Sequence, residues 1–221
     1  MPAVKESELK LSRRGRAKAT QWRIVKAAYQ LFCTQGYAAT TMAQIAEVAG
    51  VAVQTVYFTF HTKAALLSRA YDFAVMGEEE PQLPERQAWY QAMSDEPDVR
   101  QALRHFVAGV GEITRRVTPL SLAAQVAADG DPDTARVMAF HDDWQADGYR
   151  GVLKVLSTKA KLRPGLTLER GTDLLLLYAG TDVYHVLVDG RGWSHEDWLD
   201  WTAEALADQL FGRTARADEE R

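Results

Sequence analysis

Apolar residues return at intervals of three and four along most of the chain, the period of an α-helix with one buried face. From Lys18 to Gln35 the repeat runs Trp22, Val25, Ala28, Tyr29, Phe32 and Cys33, and Gly36 supplies a stop. Met42, Ile45, Ala46 and Ala49 form a second face, opened by Thr41 and Gln44 at capping-box spacing and closed by Gly50. Leu66, Leu67, Ala70 and Phe73 form another, over Lys63 to about Met76, with Thr62 as its cap. The stretch between the last two, VAVQTVYFTF at Val51–Phe60, is of a different kind. Eight of its ten residues are β-branched or aromatic, the composition of a strand rather than a helix.

Downstream of GEEEPQLPE (77–85), an acidic break with two prolines, the helical pattern resumes. It predicts helices over 98–117, over 131–160 with Pro132 in its first turn, over Thr167–Val188, and from Ser194 to about Phe211 with Ser194 and Asp197 as a second capping box. No segment combines strand periodicity with turn chemistry at its ends. The expected class is all-α, with about nine helices.

A short helix, a glycine and a second short helix make a helix-turn-helix, with Ala46 and Ala49 small enough for a close crossing. The odd composition of the second helix follows from that role. Val53, Val56 and Phe60 fall at helical spacing and can pack inward, while Gln54, Thr55, Phe58 and Thr59 point outward with Tyr57 at the margin. Amide, hydroxyl and aromatic groups suit a DNA groove, where Gln pairs with a base edge and Thr or Tyr reaches phosphate. Charge agrees with this. Residues 1–76 hold ten Lys/Arg and four Asp/Glu, a net of +6, although the whole chain is at −4. A basic end on an acidic body points to a local polyanion surface.

Residues 24–67, IVKAAYQLFCTQGYAATTMAQIAEVAGVAVQTVYFTFHTKAALL, resemble the DNA-binding domain of the TetR family of transcriptional repressors. The likeness lies in the spacing of AA..LF...GY..TT...IA..AGV followed by T.Y..F..K..LL. It implies DNA contacts by Thr41 (phosphate), by Gln54, Thr55, Tyr57 and Phe58 on the recognition helix, and by Lys63 (phosphate), with Gln54 the leading base reader. The family often has Ser or Thr where this chain has Ala52, so the cap of the recognition helix is lost. Phe58, without a hydroxyl, can only stack or touch methyls.

Residues 1–17, with KLSRRGR and little that can pack, read as a flexible basic arm, and GRTARADEER ends in a disordered tail at 213–221. Between them the resemblance implies a DNA-binding domain at 18–62 and a helical effector-binding and dimerisation domain at 63–212, entered through a connecting helix at 63–76. Phe106, His141, Trp144 and Tyr178 are candidates to line a cavity for a small apolar or aromatic effector, or else are plain core residues. Leu174, Leu177, Val183, Leu187, Trp198, Trp201, Leu206 and Leu210 offer more apolar surface than outer helices of a monomer need, which predicts a homodimer. The expected partner is double-stranded DNA, and the expected function is a repressor released by its effector. A dimeric regulator without an effector, or an activator, is the alternative.

Other classes find no support in the residues. No apolar run approaches the roughly 18 residues of a membrane span, and no apolar segment follows the basic N-terminus, so a cytoplasmic protein is expected. Cys33 is the single cysteine and reads as a core residue. HDDW at 141–144 scatters its ligands around a helix, so no metal site is expected. No catalytic motif or cofactor fingerprint is present, and the chain is not expected to be an enzyme.

Overall fold

The computed structural model describes residues 13–77 and 83–212. They form α1 (Arg13–Gln35), α2 (Met42–Ala49), α3 (Val53–Phe60), α4 (Lys63–Met76), α5 (Ala88–Asp95), α6 (Val99–Ala128), α7 (Pro132–Lys159), α8 (Leu168–Tyr178), α9 (Thr181–Tyr184) and α10 (His195–Phe211). A 3₁₀ turn, Pro84–Arg86, precedes α5, and a π-helical turn, His185–Asp189, continues α9. Among the described residues there is no strand, and nine of the helices have eight or more residues. The all-α expectation holds.

Helices α1–α4 make a head and α5–α10 a body. The core of the head is built from Ile24, Phe32, Ile45, Val56, Leu66 and Leu67, and it extends into the body through Leu120 and Ala124 of α6. The core of the body gathers Leu103, Phe106, Leu153, Leu156, Leu175, Leu206 and Leu210. At 30 residues α6 is the longest helix, about 45 Å at 1.5 Å per residue. Helices α1, α4, α5, α7, α9 and α10 all pack against it, so it forms the axis of the molecule.

Several boundaries differ from those read in the sequence. Helix α1 starts at Arg13, so 13–17 are helical and not part of an arm; residues 1–12 and the tail at 213–221 lie outside the described residues. Helix α6 runs on through Pro119 to Ala128 rather than ending at Val117. Proline removes one backbone donor, but the flanking turns are held by packing: Thr118 and Leu120 are buried, and the Arg116 carbonyl accepts from the Tyr29 hydroxyl at 2.9 Å. The helix expected over Thr167–Val188 is interrupted at Ala179–Gly180. A Cβ at Gly180 would stand 2.3 Å from the Leu176 carbonyl oxygen, so the chain turns there only because the residue is glycine. The Ala179 carbonyl freed by the break accepts from the buried Thr114 hydroxyl at 3.0 Å.

Burial divides the expected dimer residues. Trp198, Leu206 and Leu210 are completely buried within the subunit, against α6 and the core of the body, and cannot meet a second copy. Leu177 is 57% exposed, and Leu174, Val183, Leu187 and Trp201 are partly exposed. On α10 the fully buried face was mistaken for an outer one, because single-helix periodicity gives the width of an apolar stripe but not which side a neighbour covers.

Candidate nucleic-acid interface and body cavity

The helix-turn-helix is built from local chemistry. Thr41 caps α2 with its hydroxyl accepting from the Gln44 amide at 3.2 Å, and the Gln44 side chain accepts from the Thr41 amide at 2.8 Å. Gly50 closes α2 at φ 65°, a left-handed turn that favours glycine, and its amide bonds back to the carbonyls of Ala46 and Glu47. Ala52 stands at the N-cap of α3 with no side-chain bond to offer. At the other end, Thr62 donates to the Phe60 carbonyl at 2.6 Å around His61, whose φ is 62°. This is a γ-turn with a non-glycine residue at positive φ, a strained conformation that brings α4 in directly behind the recognition helix.

Helix α3 sorts its side chains into two faces. Val56 and Phe60 are buried and Val53 is half-buried, fixing the helix to the core of the head against α2 and α4. Gln54 is exposed, Tyr57 is 53% exposed, and Phe58 is 86% exposed. Thr55 is half-buried, and its carbonyl accepts from the Thr59 hydroxyl at 2.7 Å. Thr41, exposed at the start of α2, is available beside this face. An isolated surface helix gains nothing from an uncovered Phe and Tyr, so this is the side that a partner would cover.

Lys63 behaves differently from its neighbours. Its ammonium donates to the carbonyls of Tyr37 at 2.9 Å and Thr40 at 3.1 Å, lies 3.4 Å from that of Ala38, and sits 4.3 Å above the Tyr37 ring. Partial burial lowers its pKa, and the Asp131 carboxylate opposes the shift. The lysine thus ties the N-terminus of α4 to the loop that delivers Thr41.

A cavity of about 130 Å³, partly open to solvent, lies between α4 and the body helices α5, α6 and α7. Phe106, His141 and Trp144 line it, as the sequence suggested. Tyr178 does not: its ring packs on Trp201 at 5.5 Å, on the outer side of α8 and α10. The wall also includes Tyr71 of α4, Trp89 and Tyr90 of α5, and Gln145 and Tyr149 of α7, which the sequence did not single out. Trp89 reaches the cavity across Gly109, where a Cβ would lie 2.0 Å from the indole Cγ.

The cavity wall is also joined to the head. His141 is stacked on Tyr71 of α4 at 4.6 Å, and its Nε2 lies 3.3 Å from the Ser68 hydroxyl, also on α4. The Tyr71 hydroxyl lies 3.2 Å from that of Ser121 on α6, and burial pushes its pKa up to about 12. Arg116 of α6 donates to the Ala74 carbonyl at 2.7 Å, capping the C-terminus of α4. Cys33 is half-buried in the core of the head, with burial pushing its thiol up to about 11, so it stays protonated and unreactive near neutral pH. Among the described residues no group of three or more His, Cys, Asp or Glu side chains could hold a metal ion, and no helix is long and apolar enough to cross a membrane.

Comparison with known proteins agrees with this geometry. No curated protein matches the chain in sequence. The fold is shared with NalD, the secondary repressor of the MexAB-OprM multidrug efflux pump in Pseudomonas aeruginosa, at 20% identity and TM-score 0.66, over 89% of this chain and 98% of that one. It is shared with the transcriptional regulator FadR from Bacillus subtilis, solved with stearoyl-CoA, at 16% identity and TM-score 0.66, over 85% and 97%. A protein of Saccharomonospora viridis solved with choline aligns at 15% identity and TM-score 0.65, over 89% and 100%. Residues 24–70, which span the second half of α1, the whole helix-turn-helix and the first half of α4, match the family model of bacterial regulatory proteins of the tetR family, so this segment is similar to the DNA-binding domain of those regulators.

Proposed function

We propose that the protein is a repressor that binds a palindromic operator as a homodimer and releases it when a small molecule occupies the body cavity. The observation that carries the DNA half is the exposed face of α3, where Gln54, Tyr57 and Phe58 stand clear of the core beside Thr41. In this reading Gln54 reads a base edge, Thr55 and Phe58 meet thymine methyls or sugar, and Thr41 and Tyr57 hold phosphates. Lys63 adds its charge from behind and, by bonding the carbonyls of Tyr37 and Thr40, fixes the height of Thr41 above the backbone. The functional units in this reading are a DNA-binding part at 18–62 and an effector-binding and dimerisation part at 63–212, joined through α4 at 63–76.

The outer face of α8 and α10 supports the dimer. Leu174, Leu177, Tyr178 and Trp201 make an apolar stripe that pairing across a two-fold would cover, with Val183 and Leu187 at its end. Two recognition helices related by that axis would enter successive major grooves about 34–36 Å apart. The cavity supports the effector, and His141 supports the coupling. A ligand pressing on His141 must disturb its stack with Tyr71 and its contact with Ser68, both on α4, and α4 carries α3 at its N-terminal end. Coupling of about 1–3 kcal/mol would change operator affinity 5- to 150-fold. Such a protein works in the cytoplasm, where its DNA is.

The test joins two measurements on the full chain. Sedimentation at micromolar concentration is expected to give a dimer, and Leu177→Glu with Trp201→Glu is expected to give a folded monomer. A compound that raises the melting temperature is then expected to weaken operator binding. A stabilising compound that leaves operator affinity unchanged would reduce the protein to a regulator without this switch, and a monomeric wild type would remove the palindrome.

A further inference from the structure

We infer that the body cavity takes a small organic cation, an amine or quaternary ammonium carrying one ring or a short branched apolar arm. This rests on the effector-site reading above and narrows it.

Charge gives the first reason. Apart from tyrosines, the ionisable side chains lining the cavity among the described residues are Glu85, Asp142 and His141, with no Lys or Arg. His141 is buried, and burial holds it toward the neutral form. Partial burial pushes the pKa of Asp142 up, and the carboxylates of Asp143 and Asp182 add to that shift. An anionic ligand would bring a charge to this wall with no base to meet it, and a neutral one would cover carboxylates without pairing them. A cation does neither.

The walls give an independent reason. Trp89 and Trp144 line the cavity together with Glu85 and Asp142; Glu85, Asp142 and Trp144 are exposed and Trp89 is half-buried, while Tyr71 and Phe106 are buried. Aromatic faces attract cations through the ring quadrupole, and tryptophan does so best. The lining is therefore graded in exposure, from buried rings through two indoles to a pair of exposed carboxylates. Size sets the limit. About 130 Å³ is close to the roughly 150 Å³ cavity that holds a benzene molecule. The enclosed part accepts one ring, and the charged group is left beside the exposed carboxylates.

The experiment is a titration of the full-length protein, read by quenching of tryptophan fluorescence and by thermal shift. Three probes are used: phenyltrimethylammonium, its neutral isostere tert-butylbenzene, and benzoate. The cation is expected to bind on the order of 10-fold more tightly than the isostere, the ratio given by a cation–π and ion-pair gain of this kind, and benzoate is expected to give no response. The double variant Glu85→Gln, Asp142→Asn is expected to lose the preference for the cation, bind the isostere as before and melt as a folded protein. Equal binding of isostere and cation, binding of benzoate, or an undiminished preference in the double variant would overturn the charge assignment while leaving the cavity as a ligand site. No response from any of the three would overturn the site reading along with it.

Discussion

The head and the body each gather aromatic residues, and they use them in opposite ways. On α3 Tyr57 and Phe58 project from a convex surface, 53% and 86% exposed, backed by the buried Val56 and Phe60. Around the cavity Tyr71 of α4 and the body residues Phe106 and Tyr149 are buried on a concave wall. The first arrangement contributes little to the stability of the subunit and leaves apolar surface that the proposed DNA partner would cover. The second is part of the core, so its ligand would replace contacts the protein already values. An exposed aromatic on a short helix is therefore the sharper functional signal, and an enclosed one carries both burdens at once.

That contrast is tested first where the effect is largest. Phe106→Ala is expected to cost about 3–5 kcal/mol of stability, as large-to-small changes in a closed core do. Tyr57→Ala and Phe58→Ala are expected to change stability by less than about 0.5 kcal/mol while weakening operator binding. Urea unfolding of the three variants makes the comparison, and a Phe58→Ala variant as unstable as Phe106→Ala would break it.

A smaller effect sharpens the account of α3. Ala52→Ser would supply the missing N-cap, and the expected gain is about 1 kcal/mol in the same urea experiment. Operator affinity should rise with it if the new hydroxyl also meets phosphate, and stability alone should rise if it does not. The smallest effect concerns the body. Burial lowers the pKa of His141, with Asp72 acting against it, so the unfolded chain takes up the proton more readily than the folded one. The stability tied to this group is present above the ordinary histidine value of about 6.5 and is lost as pH falls below it toward the folded value. Between about pH 7.5 and 5.5 the melting temperature of the wild type is expected to fall further than that of His141→Gln. Parallel curves would mean that the ring is already open to solvent.

Local chemistry made the head legible in the sequence. Thr41 with Gln44, Gly50, and the spacing of Val56 and Phe60 each act within one turn of helix, and the structure has them as read. The basis of Lys63 was not legible, because its partners are carbonyls some 25 residues away, and carbonyls leave no mark on a sequence. The body was legible only as helices. Its α10 stripe includes Trp198 and Trp201 three residues apart, and only the packing of α6 decides that the first is buried and the second faces out. For the same reason Tyr178 was assigned to a cavity that it does not reach, while Tyr71, on a helix read as a connector, turned out to be one of its walls.

The central claim is that the exposed face of α3 reads DNA, and selection of binding sites from random duplex DNA by the full-length protein tests it most directly. The account predicts enrichment of an inverted repeat, with one base position in each half-site losing its preference when the selection is repeated with Gln54→Ala. Selected sequences without a repeat, or a repeat that Gln54→Ala leaves unchanged at every position, would contradict it.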